Sequence, residues 1–443
     1  MPPRRIVVAG GEDWVLAPSA PAGRRRAAGG APALGADPLV ARLLATGKVE
    51  VASDEVATPS PRRAAEGALI LDVATAPGEA LVLLARHPSG AITLHSPQPL
   101  SGRRGAARGG VTRFHVAVRS AGAGARRGAV TRVVRLVVFK ALDKVAELVL
   151  PRLARRWEEG RFGKRPLGWV GITAPTLRAA IDGSGQLAPA PKTAFGERNL
   201  LLLHGTFSST EGAFAKLAGA RGGDGGEFLS WANGTYGGRI FGFNHLTVSA
   251  PLAENARLLL DGLPDRPVRF DVVTHSRGGL VLRTLLERRA ELGSPSRRFE
   301  LGRGVLVAAP NHGTPLGSAE RWDDTLGWLA NLIDLFPDNP FTLAAELVAQ
   351  GLNWIAQHVV GDLPGLAAMD PAGVTISGLQ GPPGPPPGTL AALAANFEPG
   401  DLAPRLFDAG ADGFFAGAND LVVPSEGGWL VGESDGIPGE RIG

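Results

Sequence analysis

The sequence predicts an α/β fold: a mostly parallel sheet with helices on both faces and a helical cap, preceded by a small β-rich module and an amphipathic helix. Three observations carry this expectation. From Asn199 onward, near-continuous apolar runs (LLLLHG at 200–205, RIFGFNH at 239–245, VRFDVVTHS at 268–276, GVLVAAP at 304–310) alternate with helix-length segments, as in parallel strands buried on both faces. Upstream, ALILDVAT, EALVLLARH, AITLHS and VTRFHVAVRS read as four strands, with a hairpin turn at Pro88-Ser89-Gly90. Between 129 and 150, apolar residues recur at 130, 134, 137, 138, 141, 145, 148 and 149, the spacing of an amphipathic helix stopped by Pro151.

The 443 residues are long enough for two or three domains at roughly 150 residues each. Residues 1–66, rich in Arg, Ala, Gly and Pro, are expected to be partly disordered, with one short helical pattern around Pro38–Gly47. The β module is placed at 67–120, the amphipathic helix and a linker at 121–196, and the parallel-sheet domain at 197–443. Within the last, 318–366 is apolar at helical spacing, with Trp322, Trp328, Leu329, Leu332, Leu335, Phe336, Phe341, Trp354 and Ile355. It is expected to form a helical cap lining an apolar pocket, although plain core packing accounts for the same pattern.

Charge is split along the chain: residues 1–196 carry 29 Lys and Arg against 14 Asp and Glu, and residues 197–443 carry 17 against 28. Aromatics do not interleave with the arginines and no nucleic-acid-binding motif is present, so no nucleic acid is expected as a partner. The basic half leaves peripheral membrane contact open. With Cys 0, disulfides and thiolate chemistry are excluded, and a reduced, cytoplasmic setting is the simplest expectation. The N-terminal apolar run, Ile6–Ala9, falls short of the roughly 7–15 residues of a secretory signal. No stretch that is both uncharged and predominantly apolar reaches the ~18 residues of a transmembrane segment. A dinucleotide GxGxxG motif is absent, and no metal or organic cofactor is expected. His87, His95 and His115 lie at scattered strand positions and read as ordinary strand residues.

The chemistry concentrates at Val268–Leu286, where a buried strand meets Ser276 and passes without a linker into a helix opened by Gly278 and Gly279. A sharp strand–serine–helix turn is a nucleophile elbow: it lifts the hydroxyl above the sheet beside the helix N-terminus, where the dipole favours developing negative charge. The motif here is T-H-S-R-G, with Thr274 in place of the first glycine of G-x-S-x-G. Some 70 residues upstream, a strand ends in His204-Gly205-Thr206-Phe207-Ser208. Acyl transfer needs two backbone amides aimed at the oxyanion; Arg277 supplies one, and Thr206, with Phe207 as the alternative, supplies the other. The order Ser, acid, His expected on such a fold singles out Asp420 in NDLVVP as the acid, with Asp412 and Asp408 as weaker choices.

Together LLLHGTF, VVTHSRGG, VLVAAPNHGTPLG, PGLAAMDP and NDLVVP make residues 200–424 resemble a bacterial serine lipase/esterase of the α/β-hydrolase superfamily. The resemblance implies Ser276 as nucleophile, Asp420 as triad acid, an oxyanion hole from Thr206 and Arg277, and structural roles for His275 and His312. It implies hydrolysis of a small-molecule ester or lipid with an apolar acyl group; acyl transfer from the same serine is an alternative. The eight histidines stand at 87, 95, 115, 204, 245, 275, 312 and 358, and none follows Asp420. The expectation is a chain cut short of its catalytic histidine, with a partner domain downstream. The competing readings are a catalytically incomplete binding module and recruitment of His312 or His245.

Overall fold

The computed structural model describes residues 5–9, 14–18, 37–59, 67–76, 78–87, 91–97, 110–118, 134–142, 150–163, 165–219, 226–318, 322–335, 348–349, 351–352, 363–381, 388–394, 423–431 and 437–443. The chain divides into two compact units, one of Met1–Leu148 with Arg321–Val360 and Pro399–Phe414, the other of the remaining residues.

The first unit is two antiparallel sheets. Strands β1 (Arg5–Ala9), β4 (Gly67–Thr75) and β7 (Gly110–Val118) pair in the order β1-β4-β7. Strands β2 (Trp14–Pro18), β3 (Val49–Pro59), β8 (Val134–Ala141), β5 (Leu81–Arg86) and β6 (Ile92–His95) form the second sheet in that order. Leu69, Leu71, Phe114 and Val116 of the first sheet pack on Leu83, Ala85, Leu136 and Val138 of the second. The helical pattern near Pro38 is helix α1 (Pro38–Ala45), whose N-cap Asp37 accepts the amides of Leu39 and Val40. Strands β1, β2 and β3 fall inside residues 1–66, which were expected to be loose.

Two expectations are corrected here. Within 129–150, expected to be an amphipathic helix, the described residues Val134–Ala141 form strand β8. Its residues Val134–Phe139 are all buried: the strand lies in mid-sheet and is covered on both faces, so its apolar run does not alternate and mimics a helix. Arg135, 2% exposed, sits in this strand because Asp54 on β3 takes it bidentately at 2.8 and 2.7 Å. The second correction concerns the cap over 318–366. Its described helix, Trp322–Leu335, belongs to the first unit and buries Leu326, Trp328 and Leu329 there. Asn331 pins it to β6, donating to the Ile92 carbonyl at 2.7 Å and accepting the Ile92 amide at 2.8 Å.

The second unit opens with helix α2 (Leu150–Phe162), so Pro151 stands in a first helical turn, where its missing amide costs nothing, rather than ending a helix. A six-stranded sheet follows. Its strands are β9 (Gly168–Gly171), β10 (Asn199–Leu203), β11 (Ile240–Asn244), β12 (Val268–His275), β13 (Phe299–Val307) and β14 (Leu390–Leu393). They run in the order β14-β13-β12-β10-β11-β9, all pairs parallel except β9 with β11. Helices α3 (Ala174–Asp182), α4 (Thr210–Phe214), α5 (Gly226–Tyr236), α6 (Leu252–Asp261), α7 (Gly278–Glu287) and α8 (Arg289–Leu292) fill the connections. β10 shows why the strands read as continuous apolar runs: Leu201 and Leu203 enter one core with Phe241, Leu260 and Leu285, while Leu200 and Leu202 enter the other with Leu177, Phe214 and Leu229. The sequence therefore places a parallel α/β sheet correctly from Asn199 onward. No described helix is long and apolar enough to cross a membrane.

A pair of glycine substitutions separates close packing from helix propensity. A Cβ on Gly278 would stand 2.5 Å from the Leu203 carbonyl oxygen, whereas one on Gly234, inside α5, meets nothing within 4 Å. Gly278→Ala is expected to destabilise by about 1–3 kcal/mol and Gly234→Ala to stabilise by about 0.5–1 kcal/mol, read from urea midpoints.

Candidate active site

Only Ser276 and Arg277 separate β12 from α7. Ser276 has φ 51°, the left-handed region that non-glycine residues enter only at a cost of roughly 1–2 kcal/mol. The turn is held by the Ser276 amide donating to the Val307 carbonyl of β13 at 2.8 Å and by the Gly279 amide donating to the Ser276 carbonyl at 2.9 Å. Glycines let the surroundings close in: Gly278 abuts the Leu203 carbonyl, and a Cβ on Gly279 would lie 2.6 Å from Ala309 Cβ. Ser276 is 8% exposed, and among the described residues its hydroxyl has no hydrogen-bond partner.

The loop after β10 faces this turn. A Cβ on Gly205 would sit 2.7 Å from Ser276 Cβ and 2.9 Å from the His275 carbonyl oxygen, so the HGT segment and the elbow are in van der Waals contact. Among the described residues the amides of Thr206 and Arg277 have no acceptor. The Phe207 amide is committed, donating to Thr247 Oγ1 at 3.0 Å, and Phe207 itself has φ 58°. Of the two loop donors considered from sequence, Thr206 is the free one. Its hydroxyl lies 3.5 Å from Met369 Sδ, which brings the AMDP segment to the same loop.

Behind the loop lies a buried polar layer. His204 and His245, both 0% exposed, stack with centroids 4.1 Å apart. His204 Nε2 accepts the His245 amide at 3.2 Å, so its proton resides on Nδ1, which donates to the Gly205 carbonyl at 3.0 Å. Burial lowers the His204 pKa to about 4, with the charges of Arg277 and His275 adding to the effect. His245 is pushed well below the usual histidine value by burial, then by His204 and Arg277. His245 is therefore sealed from solvent and held neutral. The Arg277 side chain, also 0% exposed, turns inward: Nε donates to the Gly365 carbonyl at 3.0 Å and Nη2 to the Ala250 carbonyl at 2.7 Å. Burial lowers its pKa to about 10, against the pull of Glu158.

Glu158 of α2 is a component that sequence reasoning missed. Its carboxylate, 4% exposed, accepts the amides of Thr247, Val248 and Ser249 and the hydroxyls of Thr247 (2.9 Å) and Ser249 (2.7 Å). Three successive amides turned onto one carboxylate make an internal anion hole. The partners are some 90 residues apart in sequence, and RRWEEG carries no signal of the contact.

The third wall comes from the β13 loop. Arg283 and Glu287 of α7 form a buried bidentate pair at 2.8 and 3.0 Å, and Arg283 also donates to the Asn311 carbonyl at 3.3 Å. Asn311 Nδ2 donates to the Gly428 carbonyl at 2.7 Å, and a Cβ on Gly427 would lie 3.5 Å from His312 Cβ. The segment Val423–Gly428 thus reaches the loop at the C-terminal end of β13, with the exposed His312 beside it. Asp420, Asp412 and Asp408 lie outside the described residues. His275 is exposed at the end of β12, and crowding around its ring lowers its pKa. Among the described residues no group of three His, Asp or Glu side chains could hold a metal ion.

Residues 175–442 match the protein family described as Domain of unknown function (DUF7379). No curated protein matches the chain.

The stacked histidines set an acid limit. Both are neutral in the fold, so from ~pH 6.5 down to about 4 the unfolded chain binds protons that the folded chain does not, and stability falls as pH drops through that window. The loss approaches 3 kcal/mol in order of magnitude for His204 alone. Urea midpoints at pH 7 and 5 are expected to differ less in His245→Phe than in the unaltered chain; equal differences would mean that the pair titrates normally.

Proposed function

We propose that this chain, which belongs to the DUF7379 family of unknown function, is a serine hydrolase that cleaves carboxylic esters through an acyl-enzyme on Ser276, on a domain of α/β-hydrolase type. The observation that carries the reading is the left-handed Ser276 between a buried parallel strand and a helix N-terminus, with Gly205-Thr206 packed against it. In this reading the serine oxygen attacks the ester carbonyl carbon and its proton passes to a general base. The oxyanion formed is received by the Thr206 and Arg277 amides, which have no other acceptor among the described residues and are reinforced by the α7 dipole. Collapse expels the alcohol, which takes the proton, and water then releases the acid by the same route in reverse. Met369 and Phe207 beside the loop favour an apolar acyl group.

Asp420 is the proposed acid, since the segment that follows it, Val423–Gly428, reaches the β13 loop beside His312. Of the described histidines on this unit, His312 is the exposed one on a loop at that edge, and it is the base to test within this chain. The second reading, a binding module on the same fold, is favoured by one observation: Ser276 Oγ has no described histidine as a hydrogen-bond partner.

A fluorophosphonate probe distinguishes the two. The full chain is expected to be labelled, with labelling abolished in Ser276→Ala and slowed about 100-fold or more in His312→Gln if that imidazole is the base. A folded chain that stays unlabelled would support the binding module.

A further inference from the structure

The amide of Phe207 does not face Ser276; it is held by the Thr247 hydroxyl. That hydroxyl is itself directional. It lies 2.9 Å from Glu158 Oε1, and a carboxylate only accepts, so the Thr247 proton points at Glu158 and its lone pair at Phe207. The amide only donates, so neither end of the relay can reverse. At the far end Phe207 has φ 58°, a conformation that a bulky residue keeps only when its surroundings enforce it. The adjoining Thr206 amide is the one left free beside the elbow.

We propose that Glu158 is a positioning residue of the oxyanion loop: through the Thr247 hydroxyl it holds the Phe207 amide, and so fixes the loop conformation that turns the Thr206 amide toward Ser276. The inference rests on the hydrolase reading above. Glu158 touches no reacting atom. Its anion hole of three amides and two hydroxyls anchors Thr247–Ser249. Arg277 ties the next residue of the same loop, Ala250, to the residue that follows the nucleophile. Gly365 completes the support, donating its amide to the Val248 carbonyl at 2.8 Å; a Cβ there would lie 2.2 Å from the Thr247 carbonyl oxygen. The two halves of the oxyanion hole therefore share one internal brace, the loop Thr247–Ala250.

The test follows inactivation of the full chain by a fluorophosphonate across probe concentration, which separates reversible binding from the covalent step. Thr247→Val keeps the shape and removes the relay. It is expected to lower the maximal inactivation rate about 10-fold or more, a fraction of what losing an oxyanion donor outright costs, with the half-saturating probe concentration within about twofold. Thr247→Ser, which restores the hydroxyl, should return the rate to within about threefold. Glu158→Gln should slow the covalent step in the unaltered background and add nothing further in the Thr247→Val background, since its effect runs through that hydroxyl. If Thr247→Val lacks a melting transition, Thr247→Ala takes its place. A folded Thr247→Val that inactivates at the unaltered rate, a serine variant that fails to rescue, or additive effects of the two substitutions would overturn the relay alone. Absence of labelling in the unaltered chain would overturn the hydrolase reading and the relay with it.

Discussion

The second unit depends on one close approach, that of the end of β10 to the beginning of α7. The carbonyls of Leu203 and His204 stand within 3 Å of where a side chain on Gly278 would begin, and Ser276 Cβ crowds Gly205 in the same way. Only residues without a Cβ permit this spacing. With it in place, the serine at its left-handed φ, the amides of Thr206 and Arg277, unbonded among the described residues, and the start of a helix are brought together. Without it they would be separate strand ends. The positive φ of Ser276 is affordable because the ladder to Val307 and the glycine contacts over-determine the turn.

Charge inside the unit is organised around the same place. Glu158 and Arg277 are both nearly or wholly buried, and each is spent on backbone rather than on a direct ion pair: Glu158 on the amides of 247–249, Arg277 on the carbonyls of Ala250 and Gly365. A carboxylate held by amides and a guanidinium whose Nε and Nη2 are held by carbonyls fix a loop more tightly than apolar side chains would, since each bond has a direction. The stacked neutral histidines beneath add a fixed tautomer whose Nδ1 proton holds the Gly205 carbonyl.

What the sequence disclosed and what it concealed follow from range. Ser276, Gly278 and the HGT loop were legible because an elbow and a strand-end turn are local patterns, and the parallel strands were legible because β10 to β13 are buried on both faces. The same double burial hides β8, whose unbroken apolar run has the spacing of a helix. The preference for Thr206 over Phe207 has no visible reason in the sequence, because the group that takes up the Phe207 amide, Thr247, lies forty residues on. Glu158 was invisible for the same reason at twice the distance. The apolar spacing of 322–335 did announce a helix, but not its partner: that depends on Asn331 meeting the edge strand β6, more than two hundred residues away in the chain.

The most direct measurement is a crystal structure of the chain after reaction with a fluorophosphonate, whose tetrahedral phosphorus stands in for the acyl carbon at the moment of attack. The account requires a covalent bond to Ser276 Oγ and one phosphoryl oxygen within about 2.7–3.1 Å of both the Thr206 and Arg277 amides. An unmodified serine, or an adduct whose oxygen faces solvent away from those two amides, would contradict it.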